Sequence, residues 1–197
     1  MIAVWAALAV ALLVRPACAH EIIPGVTGFP GGLIHPVLMP AHLMTLVGLA
    51  LLVGRAKTRL VPEIIFAIAL MGGLAAIALG TGETRAPLVL LGVAAICGLS
   101  IAAALTVPQA LVWPVAAVAG AAIGLDSPPD VVSIQLAYVI MLGTWIGAVL
   151  VLVAIAEIAA RLTRPWQLIG LRVLGSWIAA SAILVLALRL APPSMPH

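Results

Sequence analysis

The chain has 197 residues, of which 65% are hydrophobic and 8% charged, and its mean hydropathy is +1.33. Soluble domains carry roughly 45–50% apolar and about 25% charged residues, so this chain lacks the polar surface for a water-exposed fold, and the same numbers exclude disorder. The net charge of +3 is spread among apolar segments and forms no basic groove, which sets nucleic acid aside as a partner. Unbroken apolar runs near twenty residues also exclude a β-barrel, whose strands alternate apolar and polar positions. They point to an all-α, polytopic transmembrane helical bundle in a lipid bilayer.

Residues 1–14 form an apolar stretch too short to cross roughly 30 Å of hydrocarbon, and Arg15-Pro16 and the A-x-A pattern Ala17-Cys18-Ala19 follow it. This reads as a cleaved signal peptide over 1–19 and a single domain over 20–197, with an uncleaved seventh helix as the alternative. Six longer apolar segments follow at 33–54, 62–80, 86–106, 108–125, 132–156 and 167–190, each able to cross a bilayer. With the mature N-terminus outside, Arg55, Lys57, Arg59, Arg161, Arg164 and Arg172 gather on the cytoplasmic side, against Arg85 and Arg189 outside. The positive-inside rule therefore agrees with the signal peptide. The expectation is a six-helix, multi-pass protein of an inner membrane with both mature termini periplasmic.

Small residues let helices pack closely in lipid, and Gly120-x-x-x-Gly124 and Gly143-x-x-x-Gly147 are such seams, available to this chain's own helices or to another subunit. Trp166 fits an interfacial belt, whereas Trp145 and Trp177 fall deeper and are expected to pack between helices. Cys97, Met71 and Met141 read as core fillers.

Chemistry must come from the few polar side chains in or beside the membrane. Histidines occur only at 20, 35, 42 and 197. On a straight helix His35 and His42 share a face but stand roughly 10.5 Å apart along the axis, too far for one ion to bridge directly. Met39 lies between them on that face and offers a thioether. Pro36 and Pro40 disturb this geometry. The stretch Gly28 to Pro36 then becomes a loop or re-entrant lead-in to a helix beginning near Pro40, and His35 folds towards His42. The alternative is that His35 caps an irregular entry and His42 bonds a neighbouring helix, with no metal. Cleavage after Ala19 would place the α-amine of His20 beside its imidazole, a pair able to chelate a transition metal.

The run Gly31-Gly32-Leu33-Ile34-His35-Pro36-Val37-Leu38-Met39-Pro40-Ala41-His42-Leu43 resembles the H-P-x-x-G-x-D-H signature of the HupE/UreJ hydrogenase and urease accessory proteins. The resemblance implies a small membrane protein of about six helices that moves nickel, or in some relatives cobalt, towards metalloenzyme assembly. His35, Pro36 and His42 match the signature, while Met39 stands for its glycine and Ala41 for its aspartate. The family's histidine-rich fourth helix, H-x-H-x-H-G-x-E, is matched in Ala119 to Asp126 only by Gly124 and the acidic residue, and its three histidines are apolar here. Met39 adds a soft ligand, which shifts the preference of such a site towards Cu(I) or another soft ion.

The other charges have ordinary explanations. Glu63 follows Pro62 at a helix start, where a carboxylate favours the dipole. Glu157 and Arg161 form an i, i+4 pair. Asp126 and Asp130 flank Ser127-Pro128-Pro129, where they attract a cation to the pore mouth or solvate a turn, and the turn is favoured. No nucleophile, phosphate loop or carboxylate pair appears, so an enzyme is not expected. Two readings follow: a metal-handling permease or accessory protein with His35, His42, Met39, His20 and Asp126 at its ion site, or a non-transporting subunit that docks on a larger membrane complex.

Overall fold

A computed structural model describes residues 27–80, 85–129, 131 and 133–191. The expected leader at 1–19, His20 and His197 lie outside the described residues. Seven helices and no strand are present among them: α1 (Gly28–Leu38), α2 (Pro40–Gly54), α3 (Leu60–Ala78), α4 (Ala86–Ala102), α5 (Gln109–Leu125), α6 (Ile134–Arg161) and α7 (Pro165–Leu190). The six apolar segments account for all seven. The count differs from expectation because the first segment is broken, α1 and α2 meeting at a 70° bend.

By length and hydropathy α3, α6 and α7 are each sufficient to cross a membrane, and α1 with α2 makes a fourth, broken span. Helices α4 and α5 have 17 residues each, at the lower limit of the usual ~17–25. Helix α4 stops four positions before the expected 106. Its last turn closes by Leu105 N–H donating to the Ser100 carbonyl (2.9 Å) and Ala104 N–H to that of Ile101 (3.0 Å), with Ala104 in the left-handed region at φ 52°. That is a glycine-type helix stop built on alanine, so the sequence gives no glycine to announce it.

Helix α2 is the central element. It packs against α1, α4, α5, α6 and α7, and Leu46, Leu49, Ala50 and Val53 are fully buried along it. The closest outer pairs are α3 with α5, α1 with α6, and α4 with α7, and each uses glycine to bring backbones together. A Cβ on Gly143 or Gly147 would strike the α1 backbone at Phe29 and Leu33, and one on Gly120 or Gly124 would strike α3 at Phe66 and Leu70. Both predicted glycine seams are thus occupied by this chain's own helices. Residue numbers rise together along the α1–α6 contact, so α1 runs parallel to α6.

Trp145 Nε1 donates to the Ala67 carbonyl at 2.9 Å, as expected of a tryptophan between helices. Trp177 does not follow, being 71% exposed, and Met71 also faces outward, whereas Met141 and Cys97 are buried. The basic connections gather at one end of the bundle. Gln109 Nε2 there donates to the Thr58 carbonyl, and Arg172 Nε donates to that of Ala102. Glu157 pairs more closely with Arg59 (2.9 Å) than with the expected Arg161 (3.9 Å).

Candidate metal site at the helix break

Two prolines decide the local backbone. Pro36 lacks the N–H that would bond the Gly32 carbonyl, and Pro40 lacks the one for the Pro36 carbonyl, while the Pro40 ring drives its predecessor out of the helical region. Met39 accordingly is extended, with φ −86° and ψ 113°, and stands alone between α1 and α2. Pro40 itself opens α2, a position where a missing N–H costs nothing. Met39 N–H donates to the His35 carbonyl at 3.2 Å and Leu43 N–H to that of Met39 at 2.9 Å, so the break is a bend in a continuous chain. The helix begins at Pro40 as the prolines imply, but the lead-in expected as a loop is the helix α1.

The bend turns sequence spacing into contact. In place of a roughly 10.5 Å axial separation, the His35 and His42 ring centroids are 5.5 Å apart, with their planes at 72°. His42 is fully buried. It lies twelve residues from the basic end of α2, roughly 18 Å along the axis.

The third member arrives from far along the chain. Asp126 caps the end of α5, and its Oδ2 lies 3.0 Å from His42 Nε2. An ionised carboxylate only accepts, so Nε2 carries the proton and Nδ1 keeps a lone pair. Of the two roles expected for Asp126, attracting a cation or solvating a turn, neither included this contact, in which its carboxylate meets a buried ring. The two residues meet across 84 positions of sequence.

Among the described residues, His42 Nδ1 and His35 Nε2 are both buried without a hydrogen-bond partner. Buried polar groups nearly always have one, and the hydroxyls at this end obey the rule. Thr45 Oγ1 donates to the Ala41 carbonyl at 2.8 Å, Ser127 Oγ to that of Ile123 at 2.7 Å, and Thr144 Oγ1 to that of Ile140 at 3.1 Å. The third orphan atom, Glu63 Oε1, belongs to the first turn of α3 at the opposite end.

Bare imidazole nitrogens are the commonest protein ligands for transition metals, and a carboxylate on the far nitrogen is the usual device that fixes tautomer and ring orientation. The arrangement supplies two nitrogens and one such carboxylate. Among the described residues no group of three His, Cys, Asp or Glu side chains is placed to hold an ion. Of the residues singled out in the sequence, His35, His42 and Asp126 are brought together. Met39 lies at the break, half-buried, and its polar contacts there are those of its backbone.

The chain matches the family model described as HupE / UreJ protein over residues 8–185. No curated protein and no solved structure matches it.

Proposed function

The chain belongs to the HupE / UreJ protein family, and from that premise we propose that it is a membrane protein that takes up and passes on a transition-metal ion at the break between α1 and α2. One observation carries this reading: the unpartnered His35 Nε2 and His42 Nδ1 on neighbouring rings, one of them held from behind by Asp126. The family resemblance favours nickel as the cargo, and a thioether from Met39 would favour Cu(I). Two protein nitrogens leave other coordination positions to water or to a carrier. Binding that is favourable but incomplete suits an ion that must leave again.

The cluster of Arg55, Lys57, Arg59, Arg161, Arg164 and Arg172 supports an orientation with that end cytoplasmic. The histidines then lie towards the outer face of an inner membrane, on the side where a processed N-terminus with His20 as an auxiliary ligand would lie. The test is metal analysis of the detergent-purified protein after nickel or copper loading, beside a His35→Ala/His42→Ala double variant. About one ion per chain is expected, lost in the double variant, as for a site with two essential ligands. Equal metal in both proteins would overturn the reading, and stoichiometric partner chains in a metal-free preparation would favour the non-transporting subunit.

A further inference from the structure

The end of the bundle opposite the histidines holds a cavity of about 510 Å³, between the α2–α3 connection, the α4–α5 connection and the first turns of α7. Its walls divide by chemistry. Leu105, Leu168 and Leu171 give an apolar side, Arg55, Lys57 and Arg172 give three cations, and no Asp or Glu among the described residues lines it. The cations are uncommitted in a way that their neighbours are not. Arg59 and Arg161 both face Glu157, whereas Arg55 and Lys57 make no salt bridge among the described residues. Among the described residues Arg172 gives only its Nε–H to the protein, to the Ala102 carbonyl at 3.0 Å. That bond fixes the guanidinium at the end of α4 with its terminal amino groups free to clamp an anion. The left-handed Ala104 is part of the same wall.

We propose that this cavity is a binding site for an anionic phospholipid, its phosphate held by Arg55, Lys57 and Arg172 and the head of an acyl chain lying along the leucines. Basic pockets between membrane helices on the cytoplasmic side have the chemistry for such head groups. A water-soluble anion would use the cations but gain nothing from the leucines. Leu105 is 62% exposed, so the apolar wall reaches the outer surface of the bundle, which gives an acyl chain an apolar way out of the cavity. The site lies at the opposite end from the histidines and does not depend on metal binding.

The experiment uses the full chain reconstituted in nanodiscs of mixed phosphatidylcholine and phosphatidylglycerol, followed by native mass spectrometry of the lipid retained in detergent. Wild type is expected to retain phosphatidylglycerol in preference to phosphatidylcholine. The Arg55→Gln/Lys57→Gln variant should lose that preference by about tenfold or more, while Lys57→Arg and Arg161→Gln keep it. No preference in wild type, an equal loss in Arg161→Gln, or displacement of the lipid by inorganic phosphate would each overturn the proposal. The wild-type comparison decides even if the double variant does not fold.

Discussion

Replacing Asp126 by alanine removes the carboxylate that accepts from His42 Nε2 at 3.0 Å. His42 is fully buried and Asp126 is its only side-chain hydrogen-bond partner among the described residues, so the ring loses the charged acceptor that fixes its orientation and the tautomer that bares Nδ1. A hydrogen bond to a charged partner contributes about 1.5–3 kcal/mol. Loss of a carboxylate behind a metal-binding imidazole typically lowers affinity by about 10–100-fold, which is about 1.4–2.8 kcal/mol. The two magnitudes agree, so Asp126→Ala should weaken nickel or copper binding by about 10–100-fold. Asp126→Asn retains an acceptor oxygen without the charge and should lose less. Isothermal titration of the detergent-purified proteins reads the affinity, and the metal-free melting temperature of each variant separates ligand loss from unfolding. Wild-type affinity in a folded Asp126→Ala protein would refute the argument that the carboxylate prepares His42 for an ion.

Other consequences follow from packing and charge. Gly147→Ala puts a Cβ onto the Leu33 backbone and should cost about 1–3 kcal/mol or more by forcing α1 from α6. Gly72→Ala meets nothing within 4 Å and should leave stability unchanged or raise it by up to about 1 kcal/mol, both read from thermal unfolding in one detergent. Ala104→Gly relieves the left-handed residue at φ 52° and should raise stability by up to about 1 kcal/mol. Arg59→Gln breaks a half-exposed pair and should cost up to about 1 kcal/mol, whereas Arg161, 81% exposed and 3.9 Å from Glu157, should be replaceable at almost no cost. Denaturant midpoints of these two variants should therefore differ, and equal midpoints would contradict the geometry.

The membrane class and the positions of the helices were legible because apolar runs and charged linkers are local signals. The break was legible for the same reason: Pro36 and Pro40 act on their immediate neighbours, and Met39 yields where the residue before a proline must. The pairing of Asp126 with His42 was not. It depends on the packing of α2 against α5, between residues 84 positions apart in sequence, which no local signal announces. Side-chain direction was also hidden. Lipid is as apolar as the bundle interior, so Trp177 on the outer face and Trp145 between helices have equally apolar surroundings in sequence. Among soluble helices an apolar stripe would have told them apart. The glycine seams named the close approaches but not their partners, which turned out to be α1 and α3.

X-ray absorption at the metal edge of the nickel- or copper-loaded protein tests the central claim most directly, because imidazole rings give a distinctive outer-shell scattering pattern. Two imidazoles per ion are predicted from the paired rings 5.5 Å apart, falling to one in His35→Ala and in His42→Ala. A spectrum without imidazole scattering, or one that neither substitution alters, would contradict it.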